Sequence, residues 1–396
     1  MLRCAAIVLL MLAVAAHAQP PVGGRVVVEE DFADATPADA VARMQQRAAA
    51  NVESLARAGL PVTPKAMATT ADLQWPLRAA PDFSQFDYHG VSNFVDLDAR
   101  FPGFVRDYMC GTRSYDLASG YNHAGTDYYL WPFPWLMMDE GQVAIVAAAS
   151  GIVIDKQDGN FDRNCAIGAS GKPNYVVVLQ DDGLSAIYMH MRSGSVTKVP
   201  VGTRVDAGEY LGLVGSSGSS SAPHLHFELR DSAGVAVDPR HGECNAAPDR
   251  WMVLQPYEDP FIDSLSTHAA EPQQVACGNT AGLALDDAPN YKDVFTPGDT
   301  LWVFASYRDH RNGEPTNFRI TRPDGSTFAQ WDFDLASAAL PRTFYSGTAW
   351  DWKFWLPAGA PPGVWQIAAD FAGHNYVREF RVRQRPVHAK PPHGAQ

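Results

Sequence analysis

The sequence predicts a mainly β protein, two successive β modules behind a helical extension. Three observations lead there. Between residues 73 and 240, short apolar and β-branched runs alternate with Gly-rich turns, and no long helical period interrupts them. A second series of strand-like runs fills residues 279 to 385. One stretch near the N-terminus carries apolar residues at helical spacing.

The elements follow in chain order. MLRCAAIVLLMLAVAAHAQ reads as a signal peptide over 1–18: Arg3 supplies the positive start, Cys4 to Ala15 the apolar run, and Ala16-His17-Ala18 the cleavage signal. The run is too short to span a bilayer, and no other run is long enough, so no membrane span is expected after cleavage. Residues 19–72 form a helical extension or pro-segment. Thr36 and Pro37 open its helix, Val41, Met44, Ala48, Val52 and Leu55 make one apolar face, and Gly59 stops it. Residues 73–258 form the first β module. Its runs include VAIVAAASGIVID, a hairpin around Asp182-Gly183, TRVDAGEYLGLVG and HLHFELR, and Val237-Asp238-Pro239 ends the core, with a looser stretch after it. Residues 279–385 give about six or seven strands with half-buried alternation, which suggests an immunoglobulin-like sandwich. The Pro-rich tail, 386–396, reads as disordered.

Composition narrows the function. Hydrophobic residues are 46% and charged residues 19%, a globular balance. A net charge of −13 with no basic stripe excludes a nucleic-acid binder. Signal cleavage leaves Cys110, Cys165, Cys244 and Cys277 in an exported chain, which favours disulfides. Four cysteines permit three pairings; the simplest joins sequence neighbours, Cys110 with Cys165 and Cys244 with Cys277. No CxxC spacing occurs, so a cysteine zinc site is not expected.

The chemistry concentrates on histidines. In HLHFEL, a strand places His224 and His226 on one face and Leu225 and Phe227 on the other. Two adjacent imidazoles on a buried face are costly unless something binds them, and a metal ion does. His123 and Asp127 are four apart in YNHAGTDYYLW. Gly125 interrupts a helix there, but in an extended segment both side chains share a face. His190 ends the strand-like run AIYMH. Three protein ligands with an open fourth position mark a catalytic zinc site, and here two histidines are left for acid–base work. Spacing alone does not choose between His224 and His226 as ligand. Glu228 shares parity with His226 and either supports it or pairs with an arginine. Trp131, Phe133 and Trp135 either rim a groove or pack in the core. The GSSGSSS loop, Gly215 to Ser221, either shapes the groove wall or only connects.

His123-Ala-Gly-Thr-Asp127, Tyr188-Met-His190 and His224-Leu-His226 resemble the H-x-G-x-D, Y-x-H and H-x-H motifs of the lysostaphin-type, or LytM-type, zinc endopeptidases, in order and in spacing. The resemblance covers roughly residues 105 to 240. It implies a compact antiparallel β-sheet catalytic domain with the groove over one sheet. It also implies that His123, Asp127 and His226 ligate one Zn2+ ion, and that His190 and His224 are the catalytic pair, His224 as general base and His190 as transition-state stabiliser. The function so implied is an exported, periplasmic or extracellular metalloendopeptidase. Its partner would be bacterial peptidoglycan or its stem and cross-link peptides, cut by a zinc-activated water. The alternatives are a zinc endopeptidase acting on Gly-rich or other proteins, and a non-catalytic wall-binding or regulatory module.

Overall fold

The computed structural model describes residues 26–28 (backbone only), 35, 38–60, 73–168, 171–275 and 287–384. The signal peptide, the Thr36-Pro37 helix start, Cys277 and the tail 386–396 lie outside the described residues.

The protein is mainly β, with antiparallel sheets, as the sequence predicts. In the first module an eight-stranded sheet runs in the order His89–Asn93, Thr126–Leu130, His224–Arg230, Ser185–Met189, Tyr175–Gln180, Gly151–Gln157 and Arg204–Val205. Ala236–Val237 adds to the end of His224–Arg230. Strand alternation gives the sheet two faces of different chemistry. Leu225, Phe227 and Leu229 point to one face with Tyr188, Ala186, Val176 and Val178, and all are buried. They pack against a small sheet of Leu77–Ala79, Val143–Val146 and Tyr210–Leu213, whose Leu77, Ile145 and Leu211 complete the core. Each such Leu or Phe stabilises the fold by roughly 1.5–3 kcal/mol. The opposite face carries His224, His226 and Glu228. Register places His226 across from Asp127 on one neighbour and Met189 on the other.

That second face continues away from the histidines as Met189, Ile187, Tyr175, Val177 and Ile154, and the N-terminal helix, Ala38–Arg57, lies on it. Met44 and Ala48 of the expected apolar face are buried there, with Val52 at the margin. Gly59, at φ +74°, ends the helix as expected. Its N–H donates to Ala56 and that of Leu60 to Leu55, both at 3.0 Å, the Schellman pattern. The hairpin at Asp182-Gly183 joins Tyr175–Gln180 to Ser185–Met189. Trp131, Phe133 and Trp135 are core residues and not a groove rim. A short helix, Pro134–Glu140, follows with proline in its first turn.

The neighbour pairing of cysteines is corrected. Cys110 is bonded to Cys244, 134 residues away, and Cys165 is disulfide-bonded as well. The reason lies in a tight loop. The Asp107 carboxylate accepts from the backbone N–H groups of Met109, Gly111 and Arg113 at 2.9 Å each. This folds Cys110 back towards Cys244, whose own N–H donates to the Tyr108 carbonyl at 2.8 Å.

Two further sheets share one core. Among the described residues, one sheet comprises Val26–Val28, Phe344–Trp355, Thr300–Arg311 and Phe261–His268. The other comprises Val294–Phe295, His374–Val382, Gly363–Phe371, Thr316–Thr321 and Thr327–Phe333. Leu301, Val303, Tyr307, Trp350 and Trp352 of the first meet Phe318, Ile320, Trp365 and Phe380 of the second. Phe261–His268 stands in the stretch that reads as loose in sequence. The two modules touch extensively. Phe133 stacks on Phe304 with ring centroids 5.3 Å apart, and Arg308 pairs with Asp87, Asp259 and Asp263 at 2.9, 2.6 and 2.5 Å. No described helix is long and apolar enough to cross a membrane.

Candidate metal centre

The histidine face of the large sheet brings the five expected residues together. Asp127 and His226 are opposite partners on adjacent strands. His123 lies just before the first of these strands, on the far side of a bend at Gly125. A Cβ at Gly125 would stand 2.6 Å from His226 Nε2 and 2.7 Å from the Phe227 carbonyl. Glycine is therefore required by close approach: the His226 ring occupies the space a side chain would fill. His123 and Asp127 converge through this bend, not through a flat strand.

Hydrogen bonds fix which nitrogen each ring presents. His123 Nδ1 lies 2.7 Å from the Phe94 carbonyl oxygen, which can only accept, so Nδ1 carries the hydrogen. Nε2 then turns its lone pair inward, 3.0 Å from Asp127 Oδ2 and 3.2 Å from His226 Nδ1. His226 Nε2 lies 3.2 Å from Glu228 Oε2, so in the neutral ring its hydrogen faces that carboxylate. Its Nδ1 lone pair faces Asp127 Oδ1 at 3.0 Å. Two imidazole lone pairs and a carboxylate thus converge, all buried. Such an arrangement is repulsive by itself and attractive around a divalent cation. Zinc bonds of about 2.0–2.1 Å in a tetrahedron set neighbouring donors about 3.3 Å apart, so the donor set fits that ion.

The surroundings hold these donors. Asn93 Nδ2 donates to Asp127 Oδ2 at 3.2 Å. Tyr115 stacks on His123 with centroids 4.8 Å apart. Arg230 pairs with the outer oxygen of Glu228. From the core side, the buried Arg240 guanidinium donates to Thr126 Oγ1 and the Tyr128 hydroxyl, both at 2.8 Å, and pins the Asp127 strand. Burial alone pushes the Asp127 carboxyl up, but His123, and then His226 and His224, outweigh it and hold it well below the usual carboxylate range.

His190 and His224 adjoin the donors without joining them. Their ring centroids are 4.6 Å apart. His190 Nδ1 lies 2.6 Å from the Ser217 carbonyl and His224 Nδ1 lies 2.7 Å from the Ala222 carbonyl. Both rings therefore carry hydrogen on Nδ1 and keep Nε2 for proton exchange. His224 Nε2 faces Asp127 Oδ1 at 3.7 Å. His190 adopts a left-handed backbone at φ +64°, unusual for a residue with a side chain and frequent at functional sites. The GSSGSSS loop thus orients His190 through Ser217 and touches His224 through the Ser220 hydroxyl, 3.3 Å from Nδ1, a role its polar sequence hints at only as a wall or connector. Phe94, Ala222, Asn93 and Tyr115 have no sequence signal. Backbone carbonyls carry no side-chain signature, and Asn93 reaches Asp127 from a different strand.

Residues 135–239 match peptidase family M23. The matched stretch contains His190, His224 and His226 and starts after His123 and Asp127. The chain is 32% identical over 125 residues to the glycyl-glycine endopeptidase ALE-1 of Staphylococcus capitis, covering 31% of this chain and 29% of that protein. It is 32% identical over 111 residues to lysostaphin of Staphylococcus simulans, covering 28% of this chain and 18% of that protein. The chain therefore spans less than a third of the length of these relatives. The solved catalytic domain of the prophage-encoded M23 protein EnpA from Enterococcus faecalis matches at 27% identity and a TM-score of 0.24, covering 40% of this chain and 94% of that one.

Proposed function

We propose that this chain, which carries a peptidase domain of family M23, is an exported zinc metalloendopeptidase that hydrolyses peptide bonds in bacterial cell-wall peptidoglycan. The observation that carries the reading is the inward convergence of His123 Nε2, Asp127 and His226 Nδ1 beside two histidines whose Nε2 atoms stand outside the ligand set. His123, Asp127 and His226 would hold one zinc ion. Zinc there supplies a Lewis acid that polarises a carbonyl and makes water acidic enough to ionise near neutral pH. His224, closest to the ligand carboxylate, takes the proton from water and returns it to the leaving amine. His190, with Nε2 also protonated as the imidazolium, donates a hydrogen bond from that nitrogen to the oxygen on which charge develops. Exclusion of bulk water by the surrounding β modules strengthens both interactions.

The test combines metal analysis with product analysis. The purified protein should contain about one zinc per chain and release peptides from purified sacculi, and His226→Ala should lose both properties. Full activity of that variant, or of protein stripped by a zinc chelator, would sink the zinc assignment. A second reading, a protease of Gly-rich protein segments, draws on the glycyl-glycine specificity in the name of the Staphylococcus capitis relative. Mass spectrometry separates the two: stem peptides with new termini support the wall substrate, and Gly-rich protein fragments support the other.

A further inference from the structure

Arg240 is a buried cation with no direct carboxylate contact. Its side chain lies on the core side of the large sheet, and the residue is 1% exposed. Among the described residues its guanidinium forms no ion pair, and its Nε has no hydrogen-bond partner. Asp238 meets Arg240 only through the backbone N–H, at 2.9 Å. The charge lies instead among aromatic rings, with the centroids of Phe94, Trp251 and Tyr108 at 4.9, 5.5 and 6.0 Å. Taking a charge out of water is costly, and apolar residues of similar volume often stabilise such a place as well or better. Stability alone is therefore a poor reason for an arginine here.

Its hydrogen bonds supply a better one. Strand alternation turns Thr126 and Tyr128 to the core and Asp127 to the histidine face. The two ends of the guanidinium fork donate to Thr126 Oγ1 and to the Tyr128 hydroxyl, both at 2.8 Å. The residues on either side of Asp127 are thus held from behind, which fixes the direction in which the carboxylate leaves the strand. A lysine ammonium lacks the planar fork that reaches both at once. The same guanidinium lies over the ring of Phe94, and the Phe94 carbonyl stands 2.7 Å from His123 Nδ1. One cation therefore reaches the supports of two of the inward-facing donors and touches neither donor itself. Its own base is firm. The Arg240 carbonyl accepts from Asn245 Nδ2 at 2.7 Å, and Tyr108 stands edge-on to Phe94 with centroids 5.0 Å apart while its carbonyl accepts from the Cys244 N–H.

We propose that Arg240 is a positioning residue for the metal centre, setting the aim of Asp127 through Thr126 and Tyr128 and the aim of His123 through Phe94. The proposal rests on the zinc reading argued above and adds a residue to it.

The experiment uses the full chain and four variants. Arg240→Met keeps the length and apolar stem and removes the fork. Arg240→Lys keeps the charge and removes the second arm. Thr126→Val and Tyr128→Phe each delete one acceptor with little change of shape, and they carry the test if Arg240→Met does not fold. Three readouts are taken beside stability in denaturant: zinc affinity by chelator competition, the visible spectrum of the Co2+-substituted protein, and the imidazole 15N resonances of His123 in metal-free protein. Arg240→Met should bind zinc about tenfold or more weakly, move the cobalt bands, and lose the single Nδ1–H pattern of His123, without a matching loss of stability. Arg240→Lys and the two acceptor variants should fall between it and the wild type. Unchanged affinity, cobalt spectrum and 15N pattern in every folded variant would overturn the proposal, because Arg240 would then only brace the core. If the wild type binds no zinc, the function argued above fails and the His123 pattern decides alone: a change on removing the fork supports positioning, and no change overturns it.

Discussion

At the scale of single residues, Glu228 is placed to serve the proposed metal centre as an outer carboxylate. It touches His226 Nε2 at 3.2 Å and is itself braced by Arg230. It thereby fixes which nitrogen of His226 faces Asp127. Glu228→Gln keeps the shape but presents a neutral amide to that ring. Zinc affinity, measured by competition with a chromophoric chelator, should fall by about 10- to 100-fold while the fold is retained. An unchanged affinity would make Glu228 a mere partner of Arg230. The five principal residues are legible in the sequence because strand parity and motif order act over a few positions. The atoms that aim them are not, since Phe94 is 29 residues from His123 and offers only a carbonyl. Strand parity also supplies the wrong reason for the His123–Asp127 convergence; the bend at Gly125 does it, and only the nearness of the His226 ring explains the glycine.

At the scale of elements, local patterns are legible and long-range partners are not. The helix shows through its spacing and its Gly59 stop, and the hairpin through Asp182-Gly183. Phe261–His268 escapes notice because FIDSLSTH alternates apolar with small polar residues and finds its partner, Thr300–Arg311, far along the chain. The Cys110–Cys244 bond is equally non-local. It closes the loop that leads through Arg113 to Phe94, whose N–H donates to the Arg113 carbonyl at 2.8 Å and whose own carbonyl aims His123. Cys110→Ser with Cys244→Ser should lower unfolding free energy by about 2–5 kcal/mol in denaturant titration, given the long loop the bond closes. A loss under about 1 kcal/mol would show that packing alone holds that loop. Within Thr300–Arg311, His310 makes a second element-level prediction. Its ring is buried against Tyr307 with centroids 4.2 Å apart, and burial pushes its pKa down to about 3 against a smaller upward pull from Asp334. The unfolded chain takes up this proton near pH 6.5. The contribution of neutral His310 is therefore fully present above that pH and is lost as pH falls from about 6.5 towards about 3, at up to about 1.4 kcal/mol per pH unit. Compared with His310→Gln, the wild type should lose about 2 kcal/mol more stability between pH 7 and pH 5. Equal losses would place the acid sensitivity elsewhere.

At the scale of the whole molecule, the question is whether the second module is an appendage or a brace. An appendage meets its neighbour through a small, exchangeable surface. Here buried charges cross the boundary. Arg113 of the first module is buried and pairs with Asp309 of the second, and Asp87 meets Arg308. Phe304 and Ala349 of the second module belong to the core of the first. A chain ended at Glu258 would leave the Arg113 guanidinium without Asp309, and an uncompensated buried charge costs about 3–5 kcal/mol. It would also uncover Phe133. The loss should reach the metal centre, because Arg113 donates to the Val91 carbonyl in the strand that carries Asn93, and Asn93 holds Asp127. The shortened chain should therefore unfold at lower denaturant, bind zinc more weakly and release less peptide even from short soluble substrates that need no wall anchoring. Asp309→Leu in the full chain isolates the charge term and should reproduce part of the stability loss with the second module still present. If the shortened chain keeps its stability and cuts short peptides at full rate, losing only attachment to sacculi, the second module is a targeting unit and the bracing argument fails.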